Sequence, residues 1–289
     1  MQNRLVVENI NFSYGKNKVL DNISFTAENG IIALLGNNGA GKTTLMNVLT
    51  GLKPAKHGKA RLNDLDLLNT KEYPLHKVGY LPQNFNIYNN ITGLDFLSYV
   101  YDLKNIKKSN KKTYIQEIVE KFHLGSMINQ RVGKYSGGYK RRLGIAQAVL
   151  GQPPLIIIDE PTVGLDPEQR IEFRSHLSEI SRDSITLIST HIIEDVELFS
   201  DKIVVLKNNT ILFDGNVEEM ISMCSPEIDV METTRESLPQ LSKKVTIIEE
   251  KRLNNDLIKV KFIKNDDRME NNINKEITLE NAYVYLQKR

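Results

Sequence analysis

An α/β fold around a parallel sheet is predicted by three features of the sequence. An apolar run at 31–35 leads into Gly36-Asn37-Asn38-Gly39-Ala40-Gly41-Lys42-Thr43-Thr44, then into an amphipathic stretch with Leu45, Val48 and Leu49 on one face. The wholly apolar run 155–158 has the composition of a parallel strand buried on both faces, and it ends in Asp159-Glu160. Runs at 184–190 and 202–206 are alike, and a helical pattern at 167–180 separates 155–158 from 184–190. Strands alternating with helices in this way argue for a parallel sheet.

The N-terminal segment reads differently. Ile10, Phe12 and Tyr14 recur every second residue, as do Ile23, Phe25 and Ala27. Glu28-Asn29-Gly30 reads as a hairpin turn, because Asn-Gly tolerates positive φ. An antiparallel β layer is therefore expected ahead of the glycine loop. Between 92 and 150 the period becomes helical, with Ile115, Ile118, Val119 and Phe122 on one face and Gly125 expected to close that helix. After Gly215 the character shifts. Two short strand-like runs (245–248 and 257–263), an Asn-rich link at 265–276 and an amphipathic stretch at 279–286 read as a small accessory domain. The expected division is 1–215 and 216–289, with a helical subdomain at about 84–150 inside the first.

Composition sets limits on function. With 40% hydrophobic and 26% charged residues, the 289-residue chain is an ordinary globular protein. Lys plus Arg total 38 against 36 for Asp plus Glu, and a net charge of +2 gives no global drive toward nucleic acid. The lone Cys224 excludes an intramolecular disulfide and a cysteine zinc site, and it suits a reducing compartment. No apolar run approaches the roughly 18 residues of a membrane span, and the N-terminus reads as a strand rather than a signal peptide. Any membrane part is expected on another chain.

The glycine loop sits between strand and helix, the context a phosphate-binding P-loop requires. Its glycines let successive N–H groups turn toward phosphate oxygens, and the new helix points its positive end at the same place. Lys42 is placed to reach the β- and γ-phosphates, and the Thr43 hydroxyl to ligate Mg²⁺. At the end of the 155–158 strand, Asp159 is expected to hold the Mg²⁺ shell and Glu160 to act as base toward water. The chain is expected to bind a nucleotide.

Between these elements Tyr135-Ser136-Gly137-Gly138-Tyr139 opens a helical pattern at 140–150. Here the sequence resembles the ATP-binding cassette (ABC) family, whose signature carries Ser-Gly-Gly at this position. The resemblance spans roughly 4–215, and every motif stands in family order. Gln83 in Leu81-Pro82-Gln83 is similar to the Q-loop, Gly164-Leu165-Asp166-Pro167 to the D-loop, and His191 after Ser189-Thr190 to the switch histidine. Tyr14 matches the aromatic that stacks on adenine. The resemblance implies a P-loop NTPase (RecA-like) core with an antiparallel β subdomain and a helical subdomain. It implies an ATPase using ATP and Mg²⁺ that works as a pair of cassettes. ATP would lie between the loop Gly36 to Thr44 of one and Ser136, Gly137 and Gly138 of the other. Gln83 would contact Mg²⁺ or water, and His191 the γ-phosphate. Asp166 is expected both to cap the helix behind Pro167 and to face the partner cassette. Tyr135 and Tyr139 depart from the LSGGQ consensus, which leaves contacts at the rim of the nucleotide open. His57, His76, His123 and His176 lack partner spacing and read as surface residues.

The form Tyr-Ser-Gly-Gly-x-Lys-Arg-Arg, the segment 88–103 and the terminal Thr278-Leu279-Glu280-Asn281-Ala282-Tyr283 resemble the ABC-2 exporter branch. That implies export of a drug, peptide antibiotic, toxin or lipid-linked glycan through a separate permease, with the cassette peripheral on the cytoplasmic face of the membrane. The second cassette is an identical copy or a paralogue. Leu94, Leu97 and Tyr101 are expected either to seat a permease helix or to pack inside the helical subdomain. The lysines at 104–112 read as a solvated loop. The alternative is a soluble ABC ATPase acting on nucleic acid or ribosomes. The coiled-coil or zinc insertions and tandem cassettes usual there are missing from this sequence, so no nucleic-acid partner is expected.

Overall fold

The computed structural model of the protein describes residues 2–107, 110–162, 165–263 and 276–289. Lys108 of the lysine-rich stretch, Gly164 of the D-loop and nearly all of the Asn-rich link lie outside the described residues. The chain divides into two compact units, Met1–Ile192 with Phe199–Asp214, and Ile193–Leu198 with Gly215–Arg289.

In the first unit, β1 (Arg4–Tyr14), β2 (Asn17–Glu28), β4 (His57–Leu62) and β5 (Leu65–Asp66) form a four-stranded sheet in the order β2-β1-β4-β5. The β1–β2 hairpin turns at Gly15, which takes φ 59°, with Tyr14 opposite Asn17. The expected hairpin at Glu28-Asn29-Gly30 is not formed. Gly30 does take positive φ (131°), but it opens β3 (Gly30–Leu35), which belongs to a different sheet. The Asn-Gly signal reports the backbone conformation correctly, and the chain uses it to step between sheets rather than to reverse within one.

That second sheet has six strands in the order β10-β9-β3-β8-β7-β6. They are β6 (Val78–Leu81), β7 (Leu155–Asp159), β8 (Ile185–Ser189), β9 (Lys202–Lys207) and β10 (Thr210–Gly215) besides β3. β3 runs parallel to β8 and β9, and β7 runs parallel to β6 and β8. Every residue of β7 and β8 is buried, which explains why these strands are apolar without alternation. The register decides where chemistry sits. Leu34 pairs with Ser189 and Asp159 pairs with Ser189, so β3, β8 and β7 end at one level. In an open parallel sheet the crevice beyond the carboxyl ends of the strands is the ligand site.

Helix α1 (Lys42–Leu49) follows β3, and its Leu45, Met46, Val48 and Leu49 are buried with the inner faces of both sheets. The helical part comprises α2 (Gly93–Leu103), α3 (Lys111–Lys121) and α4 (Gly137–Val149), packed around Leu97, Tyr101, Ile115, Phe122 and Leu143. Leu97 and Tyr101 are therefore core residues; of the three residues expected on one helix side, only Leu94 is exposed. α3 ends before Gly125. His123 takes the left-handed conformation (φ 49°), and Leu124 N–H returns to Val119 C=O at 2.9 Å, closing the helix on a non-glycine residue. Helix α5 (Pro167–Ser181) follows β7, with the Asp166 carboxylate accepting from Gln169 N–H at 2.9 Å as its cap.

The second unit takes in most of α6 (Ile193–Phe199). Its sheet is antiparallel in the order β11-β13-β12, from β11 (Ile228–Thr234), β12 (Thr246–Arg252) and β13 (Leu257–Ile263). Helices α7 (Val217–Cys224), α8 (Leu238–Leu241) and α9 (Leu279–Lys288) accompany it. Among these, β11, α7 and α8 lie outside the runs read from the sequence. Within this unit Lys261 is buried and lies 3.0 Å from Glu249 and 2.8 Å from Asn281, a satisfied polar network.

Candidate functional site

The P-loop needs its glycines for close approach. A Cβ at Gly41, which has φ 104°, would stand 2.8 Å from Val19 C=O, and one at Gly36 would stand 2.6 Å from Leu206 C=O. Gly41 caps α1 without a side-chain bond, so the first-turn N–H groups of that helix are left for a ligand. Asn37, Asn38 and Gly39 are exposed at the lip, Ala40 is buried beneath them, and Ala40 N–H tightens the turn onto Asn37 C=O at 3.1 Å.

Lys42 is buried, donates to Gly36 C=O at 2.6 Å and lies 3.9 Å from the Glu160 carboxylate. Burial pushes its pKa below the ordinary lysine value, while Glu160 and Asp159 pull it back up. Neighbouring Thr43 is exposed and Thr44 is buried.

Register brings the second half of the cluster to the same place. Glu160 follows β7 with φ 49°, uncommon for a residue that carries a side chain. Two bonds hold it, from its N–H to Ser189 C=O (3.2 Å) and to Ser189 Oγ (2.8 Å). Ser189 Oγ in turn donates to Asp159 Oδ1. Asp159 is only 1% exposed, and its other oxygen, Oδ2, is buried without a hydrogen-bond donor among the described residues. His191 Nδ1 stands 2.9 Å from Glu160 Oε2, and its ring is more than half exposed. One carboxylate oxygen of Glu160 thus faces Lys42 and the other faces His191.

A buried carboxylate oxygen without a donor is costly, and a cation satisfies it. Asp159 Oδ2 and the exposed Thr43 hydroxyl are hard oxygen donors of the kind Mg²⁺ takes, so these residues fit a divalent ion. Gln83 is exposed two residues beyond Leu81, which pairs with Ile158. It therefore leaves β6 beside the end of β7 that carries Asp159.

Sequence reasoning missed Arg141. From α4 its guanidinium donates to three consecutive carbonyls, those of Asp159 (3.2 Å), Glu160 (2.7 Å) and Pro161 (3.1 Å). Burial lowers its pKa to about 10, opposed by the two carboxylates. The basic run Lys140-Arg141-Arg142 was its signal, but a basic run more often marks a solvated helix face.

Ser136 caps α4, and both Ser136 and Gly137 are exposed. Among the described residues nothing lies within 4 Å of a Cβ built on Gly137, so this helix N-terminus opens outward. Tyr135 does not line it: the ring is buried and its hydroxyl donates to Met127 C=O at 2.7 Å. Tyr139 is paired with Ser126 Oγ at 2.8 Å beneath the Arg142 guanidinium. Both departures from the consensus serve packing of the helical part. Tyr14 is 47% exposed at the end of β1, edge-on to Phe12 and beneath Lys53 Nζ at 5.5 Å. His57, His76 and His123 are exposed as expected, whereas His176 is half-buried with its ring 6.1 Å from that of His123.

The ABC transporter family model matches residues 20–163. The chain is 37% identical over 217 residues to the uncharacterized ABC transporter ATP-binding protein YxlF of Bacillus subtilis, covering 75% of this chain and 72% of that one. It is 30% identical over 220 residues to the linearmycin resistance ATP-binding protein LnrL of the same organism (75% and 71%). It is 33% identical over 214 residues to the methionine import ATP-binding protein MetN of Corynebacterium glutamicum (72% and 59%). A solved structure titled as the ATP binding subunit of an ABC transporter superposes with a TM-score of 0.70 at 26% identity, covering 76% of this chain and 93% of its own. With the P-loop, the strand-end carboxylates and the outward helix turn in one unit, the chain belongs to the ATP-binding subunits of ABC transporters, which are ATPases.

Proposed function

We propose that this chain is the ATP-hydrolysing subunit of a membrane exporter and that it acts as one of two cassettes on a separate permease of the ABC-2 type. One observation carries the reading. Lys42, Asp159, Glu160 and His191 converge where β3, β7 and β8 end, while Ser136 faces outward on another helix and is left for a second copy or a paralogue to use.

On this reading the P-loop N–H groups and Lys42 hold the phosphates, and Tyr14 stacks on the base. Thr43, Asp159 and Gln83 would hold Mg²⁺, which when bound offsets charge on the phosphate oxygens. Glu160 Oε2 accepts the proton of the attacking water, and His191 keeps that carboxylate turned toward it. Ser136, Gly137 and Gly138 of the partner cassette close over the γ-phosphate, so hydrolysis removes the contacts that join the two faces. The resistance protein among the relatives favours export, and the import protein marks the competing direction. Among the described residues no helix is long and apolar enough to cross a membrane, in keeping with an ATPase held at the cytoplasmic face through its permease. We assign residues 216–289 to an accessory domain.

The test is purification of the chain with whatever co-purifies from cells that express it. ATP turnover stimulated by a membrane partner, with ATP-dependent loss of a compound from intact cells, is the expected result. ATP-dependent uptake would overturn the direction. Recovery with ribosomes or nucleic acid in place of a membrane protein would overturn the whole reading.

A further inference from the structure

The fold assembles a cluster that neither the ATP site nor the sequence pattern uses. Glu172 and His176 are one turn apart on α5 and share a face. His123, at the left-handed corner ending α3, brings its ring against them. The ligand atoms of all three lie within 4.8 Å of one another. Glu172 Oε1 is the hub, 3.9 Å from His123 Nε2 and 3.8 Å from His176 Nε2.

We propose that His123, Glu172 and His176 form a binding site for a divalent ion of the zinc class. Two imidazoles and a carboxylate are the donor set such an ion takes, with water completing a tetrahedron. His176 is prepared for the task. Its ring packs 5.1 Å from that of Phe122, which fixes its direction, and its buried Nε2 faces Glu172 Oε1 at 3.8 Å, beyond hydrogen-bond distance, with no closer partner among the described residues. Metal–ligand bonds of roughly 2.1 Å put tetrahedral donors about 3.4 Å apart, so the two Glu172 contacts must tighten by about half an ångström and the imidazole pair, within 4.8 Å, by up to about 1.4 Å. His123 is the exposed member and can supply that movement.

The charges facing the site include an opponent. Arg142 Nη1 lies 3.8 Å from the same Glu172 oxygen, so an incoming ion must displace a cation. Arg142 has another seat, since its guanidinium already lies over the Tyr139 ring at 4.3 Å. Lys121, another nearby cation, is engaged by Glu179 at 2.8 Å. The ion would tie the end of α3 to α5 next to α4, the helix that presents Ser136.

Zinc chloride titrated into the full chain by calorimetry, without nucleotide, tests the site. Cobalt(II) serves as the visible-spectrum probe of tetrahedral coordination. One equivalent is expected to bind, and His123→Ala should weaken it at least about tenfold, because losing a ligand costs no less than losing its supporting contact. Glu172→Gln should do the same, whereas His57→Ala should change nothing. His123 is exposed, so its variant is expected to fold and keeps the test decisive if Glu172→Gln does not. Zinc binding at unchanged affinity in His123→Ala, or none up to millimolar zinc, would overturn the proposal.

Discussion

His191 Nδ1 and Glu160 Oε2 lie 2.9 Å apart, joining a residue after β8 to a residue after β7. That contact gives Glu160 a fixed direction while Lys42 stands 3.9 Å from its other oxygen. A hydrogen bond to a charged group is worth about 1.5–3 kcal/mol, or roughly 10- to 100-fold in rate if it acts in the transition state. His191→Ala is expected to lower kcat by that factor with ATP affinity little changed. Unaltered steady-state hydrolysis would remove His191 from the mechanism.

Glu160→Gln keeps the shape and loses the proton acceptor. The expected fall in kcat is about 10²- to 10⁴-fold, the range for general-base catalysis, with nucleotide still bound. Hydrolysis and equilibrium nucleotide binding measured on one preparation separate the two effects. A variant that hydrolyses ATP at nearly the wild-type rate would show that the base is elsewhere.

Lys42→Ala should act on binding itself. The side chain is buried among backbone carbonyls and two carboxylates, and on the proposed reading it is the lysine that faces phosphate. Loss of a charge-assisted contact predicts an ATP affinity lower by at least about tenfold. An unchanged dissociation constant would contradict the P-loop assignment.

Arg141 ties α4 to the strand end through three carbonyl contacts, so it should position rather than touch substrate. Arg141→Ala is expected to reduce kcat more than it changes KM, and Arg141→Lys to restore part of the rate. Equal losses in kcat and stability, with no rescue by lysine, would mark it as purely structural.

Lys104 gives a pH-dependent signature. Its ammonium is buried and donates to the carbonyls of Gln147, Ala148 and Leu150 at 3.1–3.3 Å where α4 ends. Burial lowers its pKa from 10.5 to about 8. Between those values the unfolded chain holds a proton that the folded chain has released, so stability rises with pH across that window. The gain is at most on the order of 3 kcal/mol. Urea unfolding compared with Lys104→Met should show this rise in the wild type and a flatter profile in the variant. Parallel profiles would refute it. The residue also corrects the reading of 104–112 as a solvated loop, because a lysine that terminates a helix cannot be told from a surface lysine by spacing.

The residues that converge at the strand ends were largely legible because they stand in short fixed spacings. Gly36 to Thr44 needs a strand before it and a helix after it, and Asp159-Glu160 needs the apolar run ahead together with the glycine loop earlier in the chain. What was not legible depends on long-range placement. Glu28-Asn29-Gly30 announces positive φ but not which sheet the next strand joins. His123 and His176 stand 53 residues apart in sequence and meet only because α3 and α5 flank the same core. Leu97 and Tyr101 share a helix face with Leu94, and only the packing of α2 decides which of them faces water.

The central claim is that one cassette holds half a site. Sedimentation of the Glu160→Gln chain with and without ATP and Mg²⁺ tests it most directly, alone and with any sister subunit that co-purifies. The account predicts an ATP-dependent dimer that Ser136→Arg prevents, while the monomer keeps its ATP affinity. A chain that stays monomeric under every condition, or a Ser136→Arg monomer that no longer binds ATP, would contradict it.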